Sequence, residues 1–133
     1  MVKTFLPWTE VYSVKNEEID NQHKRLINML NKLYNAYMEK APYNKLKEII
    51  DELVEYTDYH FSTEEKLFKE KGFKQAESHI EQHENFKKQV IQFQEDFAAK
   101  KTTLNMKLIT FLGDWIRKHI LGSDQEYVSL LKD

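Results

Sequence analysis

Five histidines occur in the 133-residue chain, and each stands in a spacing suited to metal ligation. His23 stands alone, His60 precedes Glu64 by four residues, His79 precedes His83 by four, and His119 precedes Asp124 by five. None is left over for another role, so metal binding is the first chemistry to consider. Residues four apart stand one turn apart on one helix face, so His60 with Glu64, and His79 with His83, can each reach a single centre. The five-residue step from His119 to Asp124 overshoots by more than a third of a turn, and the intervening Gly122-Ser123 is poor helix sequence. A π-type bulge or widened turn near Gly122 is therefore expected, a feature that often marks functional sites.

The elements that must position these side chains are helical. The three glycines and two prolines are few, and both prolines sit at boundaries: Pro7 in an N-terminal arm of about residues 1–18, and Pro42 in the break Lys40-Ala41-Pro42-Tyr43. Between the breaks, apolar residues recur at three- and four-residue steps over about 19–39, 44–71, 74–99 and 104–131. Asp20 suits the start of the first helix, Asn44 is the expected N-cap of the second, and Gly72 its stop. Four helices joined by short turns predict an all-α fold, an antiparallel up-down-up-down four-helix bundle with an extended N-terminal arm, as one domain over 1–133.

The candidate ligands lie within the apolar stripes: Ile19-His23-Ile27, Leu53-Thr57-His60-Glu64, His79-His83-Phe86 and Leu112-Ile116-His119. They point inward. Burying several imidazoles and two carboxylates costs several kcal/mol for each unpaired group unless a cation pairs them. Taken singly, His23 fits a core histidine satisfied by its neighbours, and a His-x-x-x-His pair arises often by chance in charged helices. Taken together, five histidines and two carboxylates converging from four helices need a shared partner.

Composition narrows the alternatives. The formal charge of −2, with acidic and basic residues interspersed, offers no basic surface for nucleic acid. Without cysteine there are no disulfides, iron–sulfur clusters or thiolate zinc sites. The short apolar run Phe5-Leu6, broken by Pro7, is no signal-peptide core, and no stretch reaches the length of a membrane span, so a soluble, cytoplasmic protein is expected.

At this point the residues resemble a known family. Ile19-Asp20-Asn21-Gln22-His23-Lys24, His60-Phe61-x-x-Glu64-Glu65, His79-x-x-x-His83 and Trp115-x-x-x-His119-Ile120-x-x-x-Asp124, with Trp8 in the arm, are together similar to the hemerythrin signature in its bacterial single-domain form. The chain departs from that pattern at Lys15-Asn16, where a glycine turn is common, at Phe68 for methionine, and at Phe73-Lys74 for Tyr-Pro. None of these is a ligand position.

The resemblance implies two non-haem iron ions bridged by Glu64, Asp124 and an oxo/hydroxo group. His79, His83 and His119 would serve one iron, and His23 and His60 the other. Two roughly octahedral irons offer about twelve positions, and five imidazoles with three bridges counted twice fill about eleven. The vacancy falls on the two-histidine iron, where the family binds O2 and where NO, azide or another small anion could also sit. Electrons and a proton moving together keep the formal charge of the core at about +1. Ile116, Ile120, Leu112 and Leu26, with Trp115 beside them, are the candidates for an apolar wall that withholds water from the bound gas.

The implied role is O2 carriage, storage or delivery by a non-enzymatic monomer, with an unidentified oxygen-consuming protein as recipient. Ferritin-like oxidases use Glu-x-x-His motifs, which this chain lacks, and zinc hydrolases the absent His-Glu-x-x-His. The alternatives are a di-iron enzyme reducing peroxide or nitric oxide at the same vacancy, and an O2 or iron sensor. The lack of a spare histidine to act as base favours binding over turnover.

Overall fold

Three chain reversals shape the molecule, and each turns on one residue with a left-handed backbone: Lys40 (φ 57°), Gly72 (φ 63°) and Lys100 (φ 58°). The computed structural model describes residues 6, 8, 9, 12, 13 and 16–120. Among them are four helices and no strand: α1 Glu17–Met38, α2 Tyr43–Lys71, α3 Ala76–Ala98 and α4 Met106–Lys118. Successive helices run antiparallel, α1 on α2 and α2 on α3, and α4 returns beside α1. This is the expected all-α four-helix bundle.

The termini follow local chemistry. Asn16 caps α1, its side-chain oxygen accepting from the Ile19 N–H at 3.0 Å, and Asn105 caps α4 through Leu108 in the same way. Because Asn16 can do this, α1 starts at Glu17, two residues ahead of the expected 19, and α4 starts at Met106 rather than 104. Asn44 is not the N-cap of α2. That place belongs to Pro42, whose extended backbone and carbonyl accept from the Lys45 and Leu46 N–H groups at 3.0 and 3.1 Å, leaving Asn44 inside the first turn. α3 begins at Ala76, not 74. The expected end of the fourth helix at 131 lies outside the described residues.

After α1 and α3, paired hydrogen bonds close the last turn: Ala41 N–H to the Ala36 carbonyl and Lys40 N–H to Tyr37, then Lys101 to Asp96 and Lys100 to Phe97. These are Schellman closures built on lysine rather than glycine. The Tyr43 hydroxyl, at the start of α2, donates to the terminal carbonyl of Phe97 at 3.1 Å, tying two helix ends together.

Two described residues of the arm, Leu6 and Trp8, lie against α1. Asn31 clasps the backbone of Leu6 on both sides, its Oδ1 accepting from the N–H at 2.7 Å and its Nδ2 donating to the carbonyl at 2.8 Å. Lys24 sits 5.2 Å from the centre of the Trp8 ring. The interior holds Ile27, Leu30, Leu33, Ile49 and Ile109, each no more than 2% exposed. No described helix is long and apolar enough to cross a membrane.

Candidate metal centre

The polar part of the interior is concentrated in one layer. His23, His60, Glu64, His79, His83 and His119 are all buried, none more than 5% exposed. α1 contributes His23, α2 contributes His60 and Glu64 one turn apart, α3 contributes His79 and His83 one turn apart, and His119 follows directly on α4. The backbone widens to π-type geometry at His119–Ile120. Gly122, near which such a turn was expected, and Asp124 lie outside the described residues.

Two groups of donor atoms form, each with members within 4.8 Å of one another: Glu64, His79, His83 and His119, and His23, His60 and Glu64. Glu64 belongs to both. Its Oε1 lies 3.3 Å from His60 Nε2 and 3.2 Å from His83 Nε2, and its Oε2 lies 3.9 Å from His23 Nε2. Two donors at right angles around a cation with bonds of about 2.1 Å stand about 3.0 Å apart, so the two shorter separations match neighbouring ligands.

The tautomers argue the same way. His83 Nδ1 lies 3.1 Å from a Glu65 carboxylate oxygen, and His119 Nδ1 lies 3.2 Å from Gln82 Oε1, so both rings donate from Nδ1. In neutral rings of this tautomer the two Nε2 atoms would be acceptors facing each other 3.1 Å apart, beside the Glu64 carboxylate. Converging acceptors repel unless a cation lies among them, so the residues present fit a metal.

The Nδ1 contacts follow one rule along the chain. Gln22, next to His23 on α1, reaches His60 on α2 at 2.7 Å. Glu65, next to Glu64 on α2, reaches His83 on α3. Gln82, next to His83 on α3, reaches His119 at the end of α4. Each helix thus orients a ring on the next, and each orienting residue adjoins a candidate donor. The sequence reading assigned no role to Gln22, Glu65 or Gln82. The available signal was a polar residue immediately beside each inward-facing donor, clearest for Gln22, which is 5% exposed.

Aromatic rings brace the layer. Phe61 stacks on His83 with centroids 3.8 Å apart and planes 2° apart, Trp115 stacks on His119 at 4.4 Å, and Phe86 stacks on Trp115 at 3.9 Å. Beside His23, His60 and His119 is a cavity of about 10 Å³, room for roughly one water-sized molecule. Of the expected wall residues, Leu26, Trp115, Ile116 and Ile120 line it, together with Thr57, Phe61 and Phe86. Leu112 does not. It faces a separate, larger cavity of about 370 Å³, because it lies one turn before Ile116, towards the start of α4.

Comparison with known proteins agrees with this arrangement. The family model described as Hemerythrin HHE cation binding domain matches residues 14–131. The chain is 37% identical over 129 residues to a bacteriohemerythrin of Stenotrophomonas maltophilia, covering 96% of this chain and 82% of that one. It is 32% identical over 127 residues to a bacteriohemerythrin of Clostridium acetobutylicum, covering 91% and 97%. A wild-type hemerythrin crystal structure superposes with a TM-score of 0.92 at 25% identity, covering 97% of this chain and 99% of that one.

Proposed function

This chain belongs to the hemerythrin family, and from that premise we propose that it binds O2 reversibly at a non-haem di-iron centre. His79, His83 and His119 would hold one iron, His23 and His60 the other, with Glu64 bridging and Asp124 as the second carboxylate bridge. The observation that carries this reading is the membership of Glu64 in both donor groups. Iron held there supplies the electrons that O2 takes up on binding and returns on release.

The chain's own residues govern the rest. Gln22, Glu65 and Gln82 hold three rings with Nε2 turned to the centre. The cavity beside His23 and His60 admits a small molecule but little water, and Leu26, Ile116 and Ile120 give it apolar walls. Apart from the histidines assigned to the metal, no residue with an acidic or basic side chain is among the described residues that line it, so none of those offers a general acid to a bound ligand. Retention therefore suits the cavity better than turnover, which supports a carrier, store or delivery protein rather than an enzyme.

The test is cyclic. Iron-loaded protein is reduced anaerobically, exposed to O2, and then depleted of O2. Recovery of the reduced spectrum over repeated cycles is expected, whereas irreversible oxidation on first exposure, or catalytic consumption of peroxide, overturns the proposal.

A further inference from the structure

Among the described residues, one side chain borders both the inner cavity and the groove between α2 and α3. Thr57, 5% exposed, lines the cavity together with His23 and His60. It also lines a groove of about 370 Å³ on the outer side, whose walls include Val54, Val90 and Ile91. Among the described residues it is the only one shared by the two spaces. Its hydroxyl donates to the Leu53 carbonyl at 2.7 Å, which pins this β-branched side chain to its own helix. Lys87 ties the groove walls together, its Nζ lying 3.2 Å from Asp58 on α2 and 3.2 Å from Glu84 on its own helix.

We propose that Thr57 is the door through which a two- or three-atom ligand passes between the α2–α3 groove and the inner cavity, with the Lys87–Asp58 pair as a strap outside it. The proposal rests on the reading that O2 binds beside His23 and His60. The other described residues that line the cavity carry larger side chains, among them Phe61, Phe86 and Trp115, so Thr57 is the smallest of its walls. Threonine is smaller than the residues at neighbouring inward steps of α2, Leu53 and Phe61, and makes the thinnest partition available. Ile91, a large apolar residue left 40% exposed, stands in the groove wall, where an apolar gas gains from contact with it.

A door changes the rates of ingress and egress together and leaves affinity alone, whereas a ligand contact changes affinity. Azide binding to the iron-loaded oxidised protein, followed by stopped flow, separates the two. Because Thr57 also lines the cavity, Thr57→Ala is expected to raise both kon and koff by about fivefold or more, with a change in Kd smaller than the change in either rate. Thr57→Ile lowers both, and Thr57→Val, which keeps the shape, leaves both close to their original values. Lys87→Ala, which leaves the core intact, gives a smaller joint rise. Normal azide binding with rates indifferent to Thr57, or a change in Kd alone, overturns the door. Failure of azide to bind the unsubstituted protein overturns the functional reading beneath it.

A second measurement needs no iron. Trp115 lines the same cavity, and with Trp8→Phe it is the sole tryptophan. Trp115 is partly exposed, so in the iron-free protein it is the ratio of quenching by dissolved O2 to quenching by iodide, which reaches only the exposed edge, that is expected to rise about twofold on Thr57→Ala. No rise counts against the door.

Discussion

The Nδ1 of His83, on α3, lies 3.1 Å from the Glu65 carboxylate on α2, while the preceding residue, Glu64, meets the other nitrogen of the same ring at 3.2 Å. One ring is thus held between adjacent residues of a neighbouring helix. The carboxylate fixes the tautomer and the orientation of the ring, so that its other nitrogen faces the centre.

Glu65→Ala is therefore expected to weaken metal retention by about 10- to 100-fold, measured by competition with a chelator. Glu65→Gln keeps a hydrogen bond without the charge and should lose less. Equal retention in all three proteins would remove Glu65 from the site.

Glu64→Ala takes away the donor common to both groups. Iron content per chain should fall by about half or more, and the stabilisation conferred by iron should fall with it, because binding energy at such a site is folding energy. In the iron-free protein the same change should cost far less, since it removes one of several converging acceptors. Iron analysis and paired thermal melts read both effects.

The left-handed reversals predict opposite responses. Gly72 has φ +63°, and a Cβ there would meet nothing within 4 Å, so Gly72→Ala costs backbone strain alone, about 1 kcal/mol, or a Tm loss of about 2–5 °C. Lys40 holds the same conformation with a side chain, and Lys40→Gly should stabilise by about 0.5 kcal/mol once the added freedom of the unfolded chain is set against relief of strain.

A pH dependence follows from Asp51. Burial acts to raise its pKa, but hydrogen bonds from Lys47 at 2.8 Å and Gln94 at 2.9 Å, with the Lys47 charge, outweigh it and hold the carboxyl below its ordinary value of 3.8. A carboxyl depressed on folding contributes stability above its unfolded pKa and loses it as pH falls through the folded one. Asp51→Asn should therefore destabilise near pH 7 by less than about 1 kcal/mol, given the solvent exposure of the pair, and the difference should shrink below about pH 4. Urea midpoints at pH 7 and pH 3 test this.

Much of this architecture was legible in the sequence because burial and chemistry share one periodicity. His23, His60 and His119 occupy steps of apolar stripes, so the pattern that predicts a helix also predicts which way the ring faces. The start of α2 was misread because Asn44 is the better capping residue by type, while Pro42 is already locked into the extended backbone that a cap requires. Leu112 was misplaced by the same logic that placed Ile116: both lie on the inward face, and the stripe does not reveal that the cavity ends between them. Gln22, Glu65 and Gln82 went unassigned because their partners lie on another helix, and the rotation of one helix against the next cannot be read from either alone. Thr57 was read as one polar step in a stripe, because its place between two spaces exists only once α2 and α3 are packed.

Since each orienting residue is the immediate neighbour of a donor, position along a helix and rotation about its axis are checked together. One residue of slip turns a helix by about 100°, which would carry a donor and the adjoining holder away from their targets in the same movement. A bundle with one helix out of register would then lose its own ligand and release a histidine on the next helix. Misassembled chains should fail to retain iron altogether rather than retain it poorly, so metal uptake proofreads the fold.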